Sequence, residues 1–293
     1  MTKFNFKNTF VEFFKSDSPQ LIKPAYFQTK GCKYKINKKI AQGGSGTVYK
    51  VWDKIAKRYL VAKVSQTSSE KSIAEAQMAG ELDHQNIVRI YDIINHENIS
   101  YIIMEYIEGP TLREFCSHGH LLPPERVLEI ILYVCVGLDY AHNKGVIHRD
   151  IKPSNIIIDR NGSPKITDFG VAQLVETTLQ LGFFGTPNYI SPEQVNDEAV
   201  ITNKSDIFSL GCVFYELLKG EKAFSGENAY STIYKVINEE PAPITNLPPK
   251  IQPTIEKLVR KALHKNPEKR YQDCHKFAYD LSKALGHINS LLD

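Results

Sequence analysis

The 293-residue chain has no apolar run approaching the roughly 20 residues that span a bilayer, and its first residues lack the apolar core of a secretory signal. The expectation is a cytoplasmic protein whose own residues make no membrane contact. Its five cysteines, Cys32, Cys116, Cys135, Cys212 and Cys274, are scattered and form no C-x-x-C pair. That pattern argues against a disulfide frame or zinc site and for reduced thiols. The net charge of +3 is too small to argue for a nucleic-acid partner. No internal repeat or low-complexity tract is visible. What remains is an ordinary globular composition, 42% hydrophobic and 24% charged, in a chain that fits one large domain or two small ones.

The chemistry is concentrated in one stretch, Val146 to Gly170, which reads VIHRDIKPSNIIIDRNGSPKITDFG. Asp150 follows His148-Arg149, Asn155 comes five residues later, and Asp168 precedes Phe169-Gly170. The runs Ile156-Ile157-Ile158 and Lys165-Ile166-Thr167 read as two short strands joined by an Asn161-Gly162 turn. Such a hairpin brings Asn155 and Asp168 to the same end of a ribbon. An amide oxygen and a carboxylate there, with a second carboxylate nearby, suit Mg²⁺, which takes oxygen ligands and keeps substrate phosphates in its shell.

H-R-D-I-K-P-S-N followed by D-F-G resembles the catalytic and metal-binding loops of protein kinases. The resemblance implies an α+β, protein-kinase-like bilobal fold. Its first lobe is a small five-stranded antiparallel sheet with one main helix, and its second is larger and mainly helical. The kinase domain is expected over residues 34–285, with the first lobe at 34–104, a hinge at 105–109 and the second lobe at 110–285. Residues 1–33 then form an N-terminal extension, and 286–293 a C-terminal tail.

Residues 1–33 include an aromatic-rich stretch with interspersed lysines, Phe4 to Lys15, which reads as a short amphipathic helix that packs on the body of the protein, the alternatives being a membrane surface or a partner. Tyr34–Ile40 reads as a strand. Ala41-Gln42-Gly43-Gly44-Ser45-Gly46-Thr47-Val48 follows, and a second strand ends at Trp52. Glycines between two strands let backbone N–H groups approach phosphates. The stretch resembles the kinase glycine-rich loop, with Gly43 and Gly46 at its second and third glycines. It departs from the pattern at Ala41, where the family has glycine, and in the additional Gly44.

Leu60-Val61-Ala62-Lys63-Val64 is an apolar strand interrupted by a cation, and a buried cation needs a partner. By the resemblance, Lys63 holds the ATP phosphates and Val61 touches the adenine. In the helix Glu70–Leu82, Glu75 has the spacing of the glutamate that orients the lysine. Glu70 and Glu81 lack that spacing. Tyr101–Met104 reads as a strand with Met104 at the back of the nucleotide site. By the same resemblance, Glu105 to Gly109, including Ile107, are expected to form the hinge whose backbone reads the adenine edge. Ile157 completes the nucleotide-site set.

Pro123-Pro124-Glu125 opens a long helix whose apolar positions Val127, Ile130, Ile131, Val134, Leu138 and Ala141 keep the helical period, and Gly145 ends it. Beyond D-F-G, Gly185 to Glu193 resembles the end of an activation segment, with S-P-E where many kinases have A-P-E. Lys204 to Gly211 resembles the D-x-W-S-x-G helix, with Phe208 in place of tryptophan. Asp206 is expected to accept backbone N–H groups of the catalytic loop, and Arg270 to pair with Glu193. The motifs S-P-E-Q and K-N-P-E-K-R are most similar to bacterial kinases of the eukaryotic type.

The resemblance implies ATP-dependent phosphorylation of protein serine and threonine, with ATP and Mg²⁺, or Mn²⁺ in its place, as cofactors. Gly43, Gly44 and Gly46 cradle the phosphates, Lys63 neutralises them, and Asn155 and Asp168 hold the metal. Asp150 takes the hydroxyl proton, and Lys152 reaches the γ-phosphate. Protein substrates are the expected partners, with a transient dimer serving autophosphorylation in trans. Arg149 is expected to dock a phosphate on Thr177 or Thr178. Two rivals are a pseudokinase scaffold and a small-molecule kinase. The first usually loses Lys63, Glu75, Asp150 or Asp168, and the second lacks S-P-E, the Asp206 helix and Arg270.

Overall fold

Strict alternation shapes the first lobe. The computed structural model describes residues 27, 31–43, 46–66, 77–96, 99–169, 187–196 and 199–292. In β2 (Gly46–Asp53), Thr47, Tyr49, Val51 and Asp53 are buried while the residues between them are only half-buried. Period-two burial of this kind builds a sheet with two distinct faces. Five antiparallel strands form it in the order β1-β2-β3-β5-β4, where β1 is Tyr34–Gly43, β3 Arg58–Gln66, β4 Ile90–His96 and β5 Ile99–Glu105. On one face, Tyr49 and Val51 stand against Ala62 and Leu60, and these pack with Val64, Tyr101 and Ile103. The opposite face carries Val61 opposite Met104 and Lys63 opposite Ile102. Val61, Ile102 and Met104 share a smaller cluster with Val88, Ile90, Ile93 and Ile107. The lone polar residue in that row, Lys63, is thereby set into the floor of the lobe.

In this lobe the expected strands recur with longer ends, and β4 is the one of the five expected strands that was not located in the sequence. Of the expected helix Glu70–Leu82, residues 77–80 are helical, while 67–76 lie outside the described residues.

The second lobe is built on α1 (Pro124–Asn143) and α2 (Asn203–Lys219). Val127, Ile130, Ile131, Val134, Leu138 and Ala141 are all fully buried, as their helical spacing required. Helix α1 ends with Gly145 at a φ of +77°, where Gly145 N–H donates to His142 O and Val146 N–H to Ala141 O. That paired closure is the glycine-terminated helix end the sequence predicted. Helix α2 is buried from Ser205 to Leu218, with Phe208 in its core. A methyl group on Gly211 would stand 3.0 Å from both Ala262 and Leu263, so α2 packs closely against the end of α4 (Gln252–Ala262). The remaining helices are α3 (Ala229–Asn238) and α5 (Cys274–Leu292). Residues 286–292, expected as a tail, continue α5 instead, with Ile288 fully buried. No described helix is long and apolar enough to cross a membrane.

Between the lobes, β6 (Ile156–Ile158) pairs with β7 (Pro164–Ile166). The turn is longer than the two residues expected. Asp159 Oδ1 accepts the N–H groups of Asn161 and Ser163, each at 2.8 Å, and Gly162 takes a φ of +82°. The Asp159 carboxylate thus organises a five-residue connection between the strands.

Candidate active site

The closure of α1 at Gly145 delivers the chain to His148, which is fully buried. His148 Nδ1 lies 3.2 Å from the Asp150 N–H and can only accept there, so Nε2 carries the proton and donates to Thr167 O at 2.8 Å. The ring also packs edge-on against Phe169, with centroids 4.6 Å apart. One imidazole therefore ties the loop bearing Asp150 to the loop bearing Asp168.

Asp206 supplies the anchor from below, as expected. Its Oδ2 accepts the His148 N–H at 2.8 Å and its Oδ1 the Arg149 N–H at 2.7 Å. The same carboxylate meets His142 Nε2 at 2.8 Å. Burial drives the Asp206 carboxyl up, but His142, together with His148 and its backbone N–H, outweighs it and holds the group below the usual carboxylate range. Burial likewise opposes charge on His142, yet its bond to Asp206, aided by Cys274, raises it to about 10. His142 was not singled out in the sequence, where it reads as the polar end of a helix.

Asp150 and its neighbours converge as the spacing predicted. Asp150 Oδ2 accepts Lys152 Nζ at 2.7 Å and Asn155 Nδ2 at 3.1 Å. Asn155 Nδ2 also donates to Asp150 O at 2.9 Å, which turns its side-chain oxygen away from Asp150. Thr167 N–H donates to Asn155 O at 2.9 Å, so the β6–β7 register places Asp168 one residue past Asn155's partner. Asp168 adopts a φ of +68° and pairs with Lys63 Nζ at 2.9 Å, the lysine being only 3% exposed. Burial pushes the Asp168 carboxyl up, and Lys63 more than offsets this, leaving it ionised and below its ordinary range.

On the nucleotide side, Ala41, Gln42 and Gly43 continue β1 and pair with Val48, Thr47 and Gly46. Gly46 is required: at a φ of +121°, any Cβ would lie 2.3 Å from Val64 O. Gly44, Ser45, Gly170 and Glu75 lie outside the described residues, as do Thr177, Thr178 and Thr186. Val48 and Val61 flank Lys63 across and along the sheet, and Met104 is buried behind them. Thr167 donates its hydroxyl to Met104 Sδ at 3.8 Å. The hinge is stitched to the hairpin. Glu105 pairs with Lys165 at 3.0 Å, Glu108 pairs with Arg160, Ile158 N–H donates to Pro110 O, and Ile157 bridges to Thr111. Lys165 was missed as a site residue because on a strand one lysine reads as an exposed position. Ile107 joins the Met104 cluster.

Glu193 and Arg270 form the expected buried pair through two contacts, at 2.6 and 2.8 Å. Ser205 Oγ donates to Glu193 Oε1 at 2.7 Å. Burial pushes the Glu193 carboxyl up, but Arg270 and Ser205 outweigh it and the group sits below its usual range.

A site with a buried cation, two carboxylates and an oriented amide is suited to moving a phosphoryl group. Comparison with known proteins agrees. A model of the family described as "Protein kinase domain" matches residues 34–281. A probable serine/threonine-protein kinase of Streptomyces coelicolor is 35% identical over 271 residues, covering 87% of this chain and 40% of that protein. Serine/threonine-protein kinase PknB of Mycolicibacterium smegmatis is 36% identical over 265 residues, covering 85% of this chain and 42% of its own. Serine/threonine-protein kinase PrkC of Bacillus subtilis is 36% identical over 263 residues, covering 86% and 40%. The chain spans about two fifths of the length of these relatives.

Proposed function

The chain belongs to the protein kinase domain family, in its bacterial serine/threonine branch, and on that premise we propose that it transfers the γ-phosphate of ATP to serine and threonine hydroxyls of proteins. The observation that carries the reading is a pair of neighbouring contact sets, Lys152 and Asn155 on Asp150 at 2.7 and 3.1 Å and Lys63 on Asp168 at 2.9 Å, joined by the Thr167 N–H bond to Asn155 O.

Asp150 is the group that receives the hydroxyl proton, and Lys152 beside it is placed to meet negative charge on the transferred phosphate. Lys63 neutralises the α- and β-phosphates, with Glu75 orienting it. Met104, Glu105, Ile107, Val48, Val61 and Ile157 line the adenine side, and the backbone from Ala41 to Gly46 covers the phosphates. The donor set fits Mg²⁺, or Mn²⁺, because Asn155 is turned by Asp150 to present its amide oxygen and Asp168 is ionised beside it. The metal supplies charge neutralisation to the phosphates when bound. The scattered spacing of the five cysteines, with no C-x-x-C pair, supports a cytoplasmic location for the domain. The catalytic domain runs from residue 34 to the end of α5 at Leu292, with 1–33 as an extension.

The test is transfer of labelled phosphate from Mg·ATP to a generic basic protein, with Asp150→Asn as control. Loss of the base costs about 10²–10⁴-fold in turnover. Absence of transfer by the unaltered protein would favour the scaffold reading. The Glu193–Arg270 pair and Asp206 speak against a small-molecule kinase. Autophosphorylation in trans, at Thr177 or Thr178 with the phosphate docking on Arg149, is the proposed control. It is tested by mass spectrometry of the 171–190 peptide and by the activity of a Thr177→Ala/Thr178→Ala variant.

A further inference from the structure

One side chain is hydrogen-bonded at both of its ends across the site, and the phosphoryl-transfer chemistry gives it no role. Gln194 lies in the 3-10 turn Pro192–Val195. Its Oε1 accepts the Ser191 N–H at 3.1 Å and the Ser191 hydroxyl at 3.0 Å. Its Nε2 donates to the carbonyl oxygen of Arg149 at 2.9 Å. That carbonyl belongs to the peptide group joining Arg149 to Asp150. The N–H of the same peptide group donates to His148 Nδ1 at 3.2 Å. The peptide that carries Asp150 is therefore gripped on its oxygen by Gln194 and on its nitrogen by His148. It follows a residue held at a φ of +65°, a conformation side chains other than glycine rarely adopt.

We infer that Gln194 is a positioning residue for Asp150, linking the end of the segment that precedes Ser191 to the catalytic loop. The inference rests on the kinase reading for Asp150. The chemistry selects an amide. A turn capped by Ser191 takes glutamate or glutamine equally well at this position. A carboxylate, however, has no proton to offer Arg149 O, whereas an amide accepts at Ser191 and donates at Arg149. The relay is built so that unfolding of the Ser191 cap releases one side of the Asp150 peptide.

The experiment compares unaltered protein, Gln194→Met and Gln194→Glu, with phosphotransfer kinetics and hydrogen exchange of peptides spanning 146–155. In Gln194→Met all three bonds are gone. kcat is expected to fall about 10–100-fold, the scale for a displaced catalytic group, while KM for Mg·ATP stays unchanged and exchange at 146–155 speeds up. In Gln194→Glu the side chain regains its donor when protonated. The ratio of its kcat to that of the unaltered protein should therefore rise about two- to threefold as pH falls from about 8 to about 5, where glutamate, ordinarily near 4.3, begins to take up a proton and regains one hydrogen bond. A merely structural role predicts no such rise. If Gln194→Met does not fold, the pH trend of Gln194→Glu decides. Unchanged exchange at 146–155 in Gln194→Met, or a flat ratio in Gln194→Glu, overturns the inference. If the unaltered protein transfers no phosphate, the kinase reading fails, and the exchange comparison still decides whether Gln194 holds the loop.

Discussion

Arg149 and Asp206 stand 57 residues apart in the chain and meet at 2.7 Å, backbone N–H to carboxylate. The bond matters because Arg149 sits at a φ of +65°, which costs a residue with a side chain about 1–2 kcal/mol. A buried carboxylate that bonds two successive loop amides and a histidine holds that shape. Replacing it with alanine strands all three donors. Asp206→Ala is expected to lose about 3–5 kcal/mol, the cost of removing one partner of a buried pair. For a domain of this size that lowers the melting temperature by roughly 6–20 °C. A melt that does not move would mean these bonds are not made in solution.

Asp168→Ala removes the carboxylate facing Lys63, whose ammonium is only 3% exposed. The variant should lose Mg²⁺-dependent ATP binding, since a single carboxylate and one amide make up the protein's share of the metal site. Calorimetric titration with Mg·ATP reads this directly, and unchanged affinity would remove Asp168 from the metal site.

Glu193 and Arg270 are both almost wholly enclosed, with side chains 7% and 0% exposed. Glu193→Ala and Arg270→Ala should each cost about 3–5 kcal/mol. The double variant should cost less than the sum, because the second change no longer strands a charge. Denaturant titrations of the four proteins form the cycle, and strict additivity would refute the coupling.

His142 predicts a pH dependence with a definite sign. Burial opposes its charge, but Asp206, with help from Cys274, raises its folded value to about 10, above the roughly 6.5 of an unfolded histidine. The folded state thus binds the proton more tightly. This contribution is complete below about pH 6.5 and is lost as pH rises toward 10. Denaturation midpoints should fall across that window, and His142→Gln should flatten the slope. An identical slope in the variant would assign the alkaline loss to other groups.

The site was legible where function demands unusual residue types at fixed spacing. Asp150, Asn155 and Asp168 stand out because an oxygen-ligand set cannot be built from arbitrary positions. The anchors were legible in part. Asp206 and Arg270 could be read because the segments that carry them resemble kinase motifs, which imply a buried carboxylate under the catalytic loop and an arginine partner for Glu193. Their supports His142, Lys165 and Gln194 could not, since each type is unremarkable on a surface and only the tertiary fold shows that it is enclosed. Strand β4 escaped for a related reason. Its run Ile90–His96 is mostly half-buried or exposed, and its burial does not alternate strictly. The five-residue turn after β6 was missed because Asn161-Gly162 signals a tight hairpin locally, while Asp159 captures two amides of a wider one. Helix α5 outruns its expected end because Ile288 finds a buried position beyond it.

The five free cysteines give the domain its own reporters of motion. Cys32 is buried in the β-sheet lobe, and Cys135, Cys212 and Cys274 are buried in the helical lobe. Burial, with Glu216 nearby, pushes the half-buried Cys116 up to about 12, and burial raises the enclosed Cys212 as well, so at neutral pH neither forms thiolate. A thiol reagent therefore modifies the enclosed cysteines only during openings of the chain. Timed labelling, resolved by cysteine, measures how often each lobe opens without any engineered probe. Adding Mg·ATP to the same experiment shows whether the nucleotide closes one lobe or both.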